Sequence, residues 1–206
     1  MPIPLPVNIK AFQIQAGPGK QVVYPQVSYP QDRPFEQVMN QTLVQETQKL
    51  INAQVAEVPT SVVEMDGSFE IKNNQRNVLS LTFSNYTYYY HAAHGLTLLS
   101  SVTFDLEKKK RCQLKDLFKP GSDYVNRLSE IIHKQIAARD IPVINEFTKI
   151  DPNQSFYVAD KTLVIYFQLY DLAPYAFGFP FFPISVYEIQ GIIDEDGPLG
   201  RLATNS

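Results

Sequence analysis

Residues 78–106 read VLSLTFSNYTYYYHAAHGLTLLSSVTFDL, and the period of this stretch decides the fold. Successive side chains alternate across a strand. Over 78–90 that rule places Leu79, Leu81, Phe83 and Tyr89 on one face and Ser80, Thr82, Ser84, Tyr86, Tyr88 and Tyr90 on the other. Over 96–106 it puts Leu96, Leu98, Val102, Phe104 and Leu106 on one side. Two strands therefore bracket HAAHG, with one face for a core and the other carrying a tyrosine row. Gly95 suits the bend through its tolerance of positive φ.

Before this pair, SVVEM, DG and SFEIKNN predict a hairpin bent at Asp66-Gly67. Residues 32–54 change period. Asp32 is a candidate cap, Pro34 suits a first turn, and Phe35, Val38, Met39, Leu43, Leu50, Ile51 and Val55 recur at helical spacing, with Pro59 as the stop. At the start of the chain, VNIKAFQIQ and QVVYPQV form strands around GPGK, and Pro25 and Pro30 assign the second to an edge or an extended arm. Beyond 106, Ser122 is a candidate cap for a second helix whose buried stripe is Val125, Leu128, Ile131, Ile132 and Ile136. SFYV and TLVIYFQL make a further hairpin, and FFPISVYEI a last strand. Helices separated by antiparallel meanders predict an α+β fold in which each antiparallel sheet is covered by one amphipathic helix. The polar end, 191–206, is expected to be a flexible tail.

A net charge of −3 over 206 residues gives no basis for neutralising phosphates, so nucleic acid is not an expected partner. The basic run EKKKR at 107–111 reads as a solvated turn. No window reaches the roughly 18 apolar residues of a membrane span, and MPIPLPVNIK lacks the pattern of a leader, which by itself points to the cytoplasm. A single cysteine, Cys112, permits neither an internal disulfide nor a cysteine zinc cage, and it reads as a small core residue rather than a nucleophile.

His91 and His94 have the spacing of a helical metal pair, but on a strand residues three apart point to opposite faces. His133 lies on the second helix, and no third ligand stands at a zinc spacing, so no metal and no cofactor are expected. Asp105, Asp116, Asp160 and Asp171 adjoin apolar residues, yet no nucleophile elbow, phosphate loop or dinucleotide fingerprint accompanies them. No catalytic residue is assigned. The segment 166–189, YFQLYDLAPYAFGFPFFPISVYEI, crowds aromatic rings around Pro174, Gly178, Pro180 and Pro183. It predicts an ordered aromatic loop, with Tyr170, Pro174, Tyr175, Phe177, Gly178 and Phe179 as candidate ligand contacts beside Tyr86, Tyr88, Tyr90 and His94.

The blocks HAAHGLTLLSSVTFDLEKKKRCQLKDLF, VNRLSEIIHKQI and SFYVADKTLVIYFQLYDLAPYAFGFPFFPISVYEI resemble, in order, the extracytoplasmic domain of the lysozyme-sensing anti-sigma factor of Gram-positive bacteria. Similar domains accompany peptidoglycan deacetylase modules. The resemblance implies two associated α+β halves, 20–115 of the deacetylase-associated type and 116–190 of the sensor type, preceded by a strand or arm over 1–19. It implies a domain that binds rather than catalyses, at a cell surface, with an unknown protein or cell-wall glycan as ligand. The family pattern matches His94-Gly95 but places a small residue at the position of His91. The competing expectation is a hydrolase or deacetylase-like enzyme using His94 and a carboxylate. The sequence leaves the oligomeric state open.

Overall fold

A computed structural model describes residues 5–56 and 62–204; the expected helix stop at Pro59 lies outside them. The chain opens with the antiparallel hairpin β1 (Asn8–Gln15) and β2 (Lys20–Ser28). Helix α1 (Arg33–Ala56) follows, then β3 (Val62–Gln75), β4 (Val78–Tyr89), β5 (Leu96–Asp105) and the two-residue β6 (Lys110–Arg111). All six strands lie in chain order in one sheet. One expected feature fails here: β2 and β3 pair in parallel, because α1 is the crossover between them. Their pairing covers only Lys20–Val22 against Met65–Gly67, so β2 is an inner strand, and Pro25 lies beyond the rungs where β3 needs a donor.

The expected bend at Asp66-Gly67 is also absent. β3 runs through it, and the chain turns at Arg76-Asn77, both at positive φ (52° and 55°) as a two-residue hairpin connection requires. Gly67 instead allows close approach: a Cβ there would lie 2.6 Å from Val22 and 2.7 Å from the Asn85 side chain.

Asp32 caps α1, accepting from Phe35 N–H at 3.0 Å. Phe35, Met39, Leu43 and Leu50 bury their side chains against Leu79, Leu81, Phe83, Val102 and Phe104, the face that strand parity selects. Val38 and Val55, expected on that stripe, are each 52% exposed. The buried line instead advances through Glu46, Thr47 and Gln54, polar residues that find partners inside. Gln54 donates to the carbonyls of Asn85 (2.9 Å) and Leu96 (2.8 Å), tying the end of α1 to both strands of the central hairpin.

In the second half a 3₁₀ turn (Leu114–Leu117) leads to α2 (Tyr124–Ala138), and β7 (Phe156–Ala159), β8 (Thr162–Tyr166) and β9 (Phe181–Ser185) form an antiparallel sheet in that order. The cap of α2 falls at Asp123 rather than the expected Ser122, whose hydroxyl is buried without a hydrogen-bond partner among the described residues. Leu128, Ile131 and Ile132 pack on Val158, Leu163, Ile165, Phe182 and Ile184. The same cluster takes in Val78, Cys112 and Leu114 from the first half. Ser80 links the two sheets, its hydroxyl accepting from Val158 N–H at 3.0 Å.

The closing segment departs from the flexible tail expected of it. Ile193 bridges to Phe118, α3 (Pro198–Ala203) buries Leu199 and Leu202 fully, and Arg201 bonds the buried Asp105 at 2.7 Å. Polar composition suggested fraying, but its few apolar residues and one arginine are all used inside.

Candidate functional site

The aromatic loop leaves β8 at Tyr166 and returns at Phe181, and it stands on a buried foot. Phe167 N–H donates to Pro180 O at 3.1 Å, and the Phe167 ring is buried edge-on against Phe147 and Phe182, with centroids 6.0 and 5.7 Å away. Leu172 and Ala173 are buried as well, and Leu172 O accepts from Ile144 N–H at 2.9 Å. Between these anchors the backbone takes positive φ at Tyr170 (68°) and Gly178 (82°), around a short 3₁₀ turn at Tyr175–Phe177. Positive φ is uncommon for a ring-bearing residue. It leaves Tyr170 51% exposed, with Phe177 37% exposed, Pro174 exposed, and Tyr175, Gly178 and Phe179 half-buried.

Facing the loop is the turn between β4 and β5. Tyr88 O–H donates to Ala92 O at 3.0 Å, and the exposed Tyr90 ring lies 3.9 Å from His91, which itself takes φ 63°. Gly95 is not at positive φ, contrary to expectation. It is glycine because the Tyr86 ring lies over it, 2.2 Å from where a Cβ would sit. Two of the three candidate tyrosines thus help to build the turn, and only Tyr90 offers most of its ring to solvent.

His94 joins turn and loop. Its ring stacks on Tyr175 (4.2 Å, 27° between planes), and Tyr175 stacks on Tyr170 (5.5 Å, 30°). His94 Nδ1 lies 2.9 Å from Gly95 O, which also accepts from Tyr175 O–H at 3.0 Å. An Nδ1–H that donates to Gly95 leaves Nε2 as the acceptor for Tyr170 O–H, 3.4 Å away. The fold therefore brings His94 against Tyr170 and Tyr175, which lie 76 and more positions further along the chain.

His133 is elsewhere on α2, with Nε2 3.2 Å from Thr148 O and its ring against Phe147. Among the described residues no group of three His, Cys, Asp or Glu side chains is placed to hold a metal. Of the four aspartates considered as catalytic partners, Asp105 pairs with Arg201, Asp116 pairs with Lys110, Asp160 accepts from Gln75, and Asp171, next to Tyr170 on the loop, accepts from Gln168 N–H. Burial pushes the Cys112 thiol up to about 12, with Asp105 adding to the effect, so it is not a nucleophile near neutral pH.

Sequence reasoning missed Gln168. Its amide Nε2 donates to Leu99 O (2.8 Å) and its Oε1 accepts from Leu99 N–H (3.0 Å), so one side chain pins the base of the loop to the edge of β5. Nothing in local pattern marks a glutamine for this contact, 69 residues away.

Residues 115–187 match the family model described as "Protein of unknown function (DUF3298)". Over 118 residues the chain is 27% identical to the peptidoglycan-N-acetylmuramic acid deacetylase PdaC of Bacillus subtilis, a match spanning 53% of this chain and 25% of that relative. Two crystal structures of DUF3298-family proteins share the fold. The one from Bacteroides fragilis has a TM-score of 0.70 at 13% identity, covering 98% of this chain and 99% of its own. The one from Pseudomonas aeruginosa has a TM-score of 0.66 at 14% identity, covering 99% of each chain. The chain thus carries a domain of unknown function similar to a region of a peptidoglycan deacetylase, as the sequence resemblance indicated, and it spans about a quarter of that enzyme.

Proposed function

We propose that this chain is a non-enzymatic binding domain that recognises a cell-wall glycan on the platform formed by Tyr170, Tyr175 and His94, extended by Pro174, Phe177, Gly178 and Phe179 and flanked by Tyr86, Tyr88 and Tyr90. The carrying observation is an exposed Tyr170 stacked on Tyr175, on a loop whose foot is buried. A solvated aromatic ring that stays ordered loses little entropy when a ligand covers it. A sugar ring offers an apolar face to such a ring and hydroxyls to the neighbouring polar groups, and the likeness to a peptidoglycan deacetylase supports the wall as the source of that glycan.

Co-sedimentation with purified insoluble peptidoglycan tests the reading. Tyr170→Ala and Phe177→Ala are expected to reduce bound protein at least tenfold while lowering the melting temperature by only a few degrees, because both rings are partly exposed. Lysozyme serves as the protein control. Retention of lysozyme with no affinity for peptidoglycan makes the ligand a protein and overturns the glycan reading.

A further inference from the structure

The groove between α1 and the second half, about 730 Å³, runs along one side of β5. Glu46, Lys49, Arg111, Gln154, Tyr166 and Gln168 are among its walls, and Leu99, Ser101 and Thr103 lie in it. Main-chain groups of a strand point alternately to its two neighbours. Cys112 N–H donates to Thr103 O at 2.8 Å, which identifies the odd-numbered residues of β5 as those facing away from β4. On that side β6 covers only Phe104 and Asp105, and the chain then departs into the 3₁₀ turn. Thr97, Leu99 and Ser101 are left as an uncovered edge beside the groove. The Gln168 side-chain amide takes both main-chain groups of Leu99, as a peptide unit of a neighbouring strand would. Thr97 and Ser101 have no main-chain partner on this side among the described residues.

We propose that this groove accepts an extended peptide, which adds to the sheet as a strand in line with β6 and displaces the Gln168 amide from Leu99. Exposed edges are used for recognition in this way, with the main chain supplying affinity and alternate side chains supplying choice. The charges fix the preference. Glu46 is already paired with Arg111 (2.7 Å) and Asp116 with Lys110 (3.0 Å), while Lys49 on the α1 wall has no ion pair among the described residues. A carboxylate side chain on the peptide face toward α1 is the complement. This site adjoins the foot of the aromatic loop through Gln168 but includes none of Tyr170, Tyr175 and His94, so it does not rest on the glycan reading.

The probe is a phage-displayed library of random seven-residue peptides, panned on the whole chain with an unrelated protein as control. Enriched sequences are expected to carry an acidic residue, and a synthetic copy is expected to slow amide hydrogen exchange across 97–101. N-methylation of alternate peptide nitrogens should weaken binding at least tenfold, and methylation of the intervening ones should leave it unchanged, since only one edge of an added strand pairs. Gln168→Ala should tighten binding several-fold by removing the competing amide. Lys49→Glu should abolish the acidic preference, and Tyr170→Ala should leave affinity unchanged. Absence of enrichment over the control, insensitivity to the position of N-methylation, or loss of binding in Tyr170→Ala overturns the proposal. A dimer protected at 97–101 without any peptide overturns it in favour of a second copy as occupant.

Discussion

Arg201 gathers three parts of the chain around one guanidinium. It bonds Asp105 at 2.7 Å and Glu107 at 3.2 Å on the turn after β5, and the carbonyls of Arg76 (3.3 Å) and Asp196 (2.9 Å). The Asp105 side chain has no solvent exposure, and its Oδ1 also accepts from Glu107 N–H (3.0 Å) and Lys108 N–H (3.1 Å), so removing Arg201 leaves a buried carboxylate with main-chain donors but without its paired cation. Arg201→Ala is expected to cost about 3–5 kcal/mol in urea unfolding. Arg201→Lys should recover under half of that, because an ammonium cannot present the fork that reaches several acceptors. A cost below 1 kcal/mol would mean that water or the main-chain donors of Glu107 and Lys108 suffice for Asp105. Nearby, Cys112 gives a second test: with its thiol held at about 12, it should resist a thiol reagent at mildly alkaline pH in native protein and react fully in guanidinium. Rapid labelling of the folded protein would contradict the burial.

At the scale of elements, the start of α1 is one of the places that shape the response to acid, beside Asp194, whose carboxyl Lys108 also holds down. Lys109, with Phe35 N–H, holds the Asp32 carboxyl below its usual 3.8, and Tyr29 N–H with Arg33 holds Glu36 below its usual 4.5. A carboxyl depressed in the folded state contributes stability that is present above its unfolded value and is lost as pH falls through the folded one. The melting temperature should therefore be flat near neutrality and fall once pH drops below those usual values. Asp32→Asn should shrink the acid limb; an unchanged limb would assign acid lability elsewhere. The turn between β4 and β5 makes a sharper case. Gly95→Ala drives a Cβ into the far end of the Tyr86 ring, and should cost about 1–3 kcal/mol. In a Tyr86→Ala background the same change should cost little, so a double-mutant cycle reads the contact directly. These elements also show what the sequence could disclose. Strand parity over 78–90 and the Asp32 cap are local relations and were legible. Gly67 looked like a bend and Gly95 like a positive-φ position because the atoms that require glycine there, in Val22, Asn85 and Tyr86, approach only after folding. Val38 and Val55 were misassigned to the core for the same reason: Gln54 is preferred inside only because two carbonyls await it.

For the whole molecule, the candidate platform exists only at the meeting of the two halves. Tyr170 and Tyr175 come from the second and His94 from the first, so a sequence can supply the rings but not their stacking. The halves are not separable bodies either: Val78, Cys112 and Leu114 share one cluster with α2, the three-stranded sheet and the closing segment. Both structures that share the fold match it over nearly the full chain, although the family model covers 115–187 alone. A chain ending at residue 190 would lose Ile193, Leu199 and Leu202, each almost completely buried, together with the partner of Asp105. At about 2 kcal/mol for each apolar side chain and 3–5 kcal/mol for the orphaned carboxylate, the loss is on the order of 10 kcal/mol. Whole domains of this size hold about 5–15 kcal/mol in total. The shortened chain, and residues 116–190 alone, are therefore expected to give collapsed amide spectra and no cooperative melt, with no retention on peptidoglycan. A dispersed spectrum with a sharp melt from either piece would show that the second half carries its own stability, and would return the closing segment to the role of an appendage.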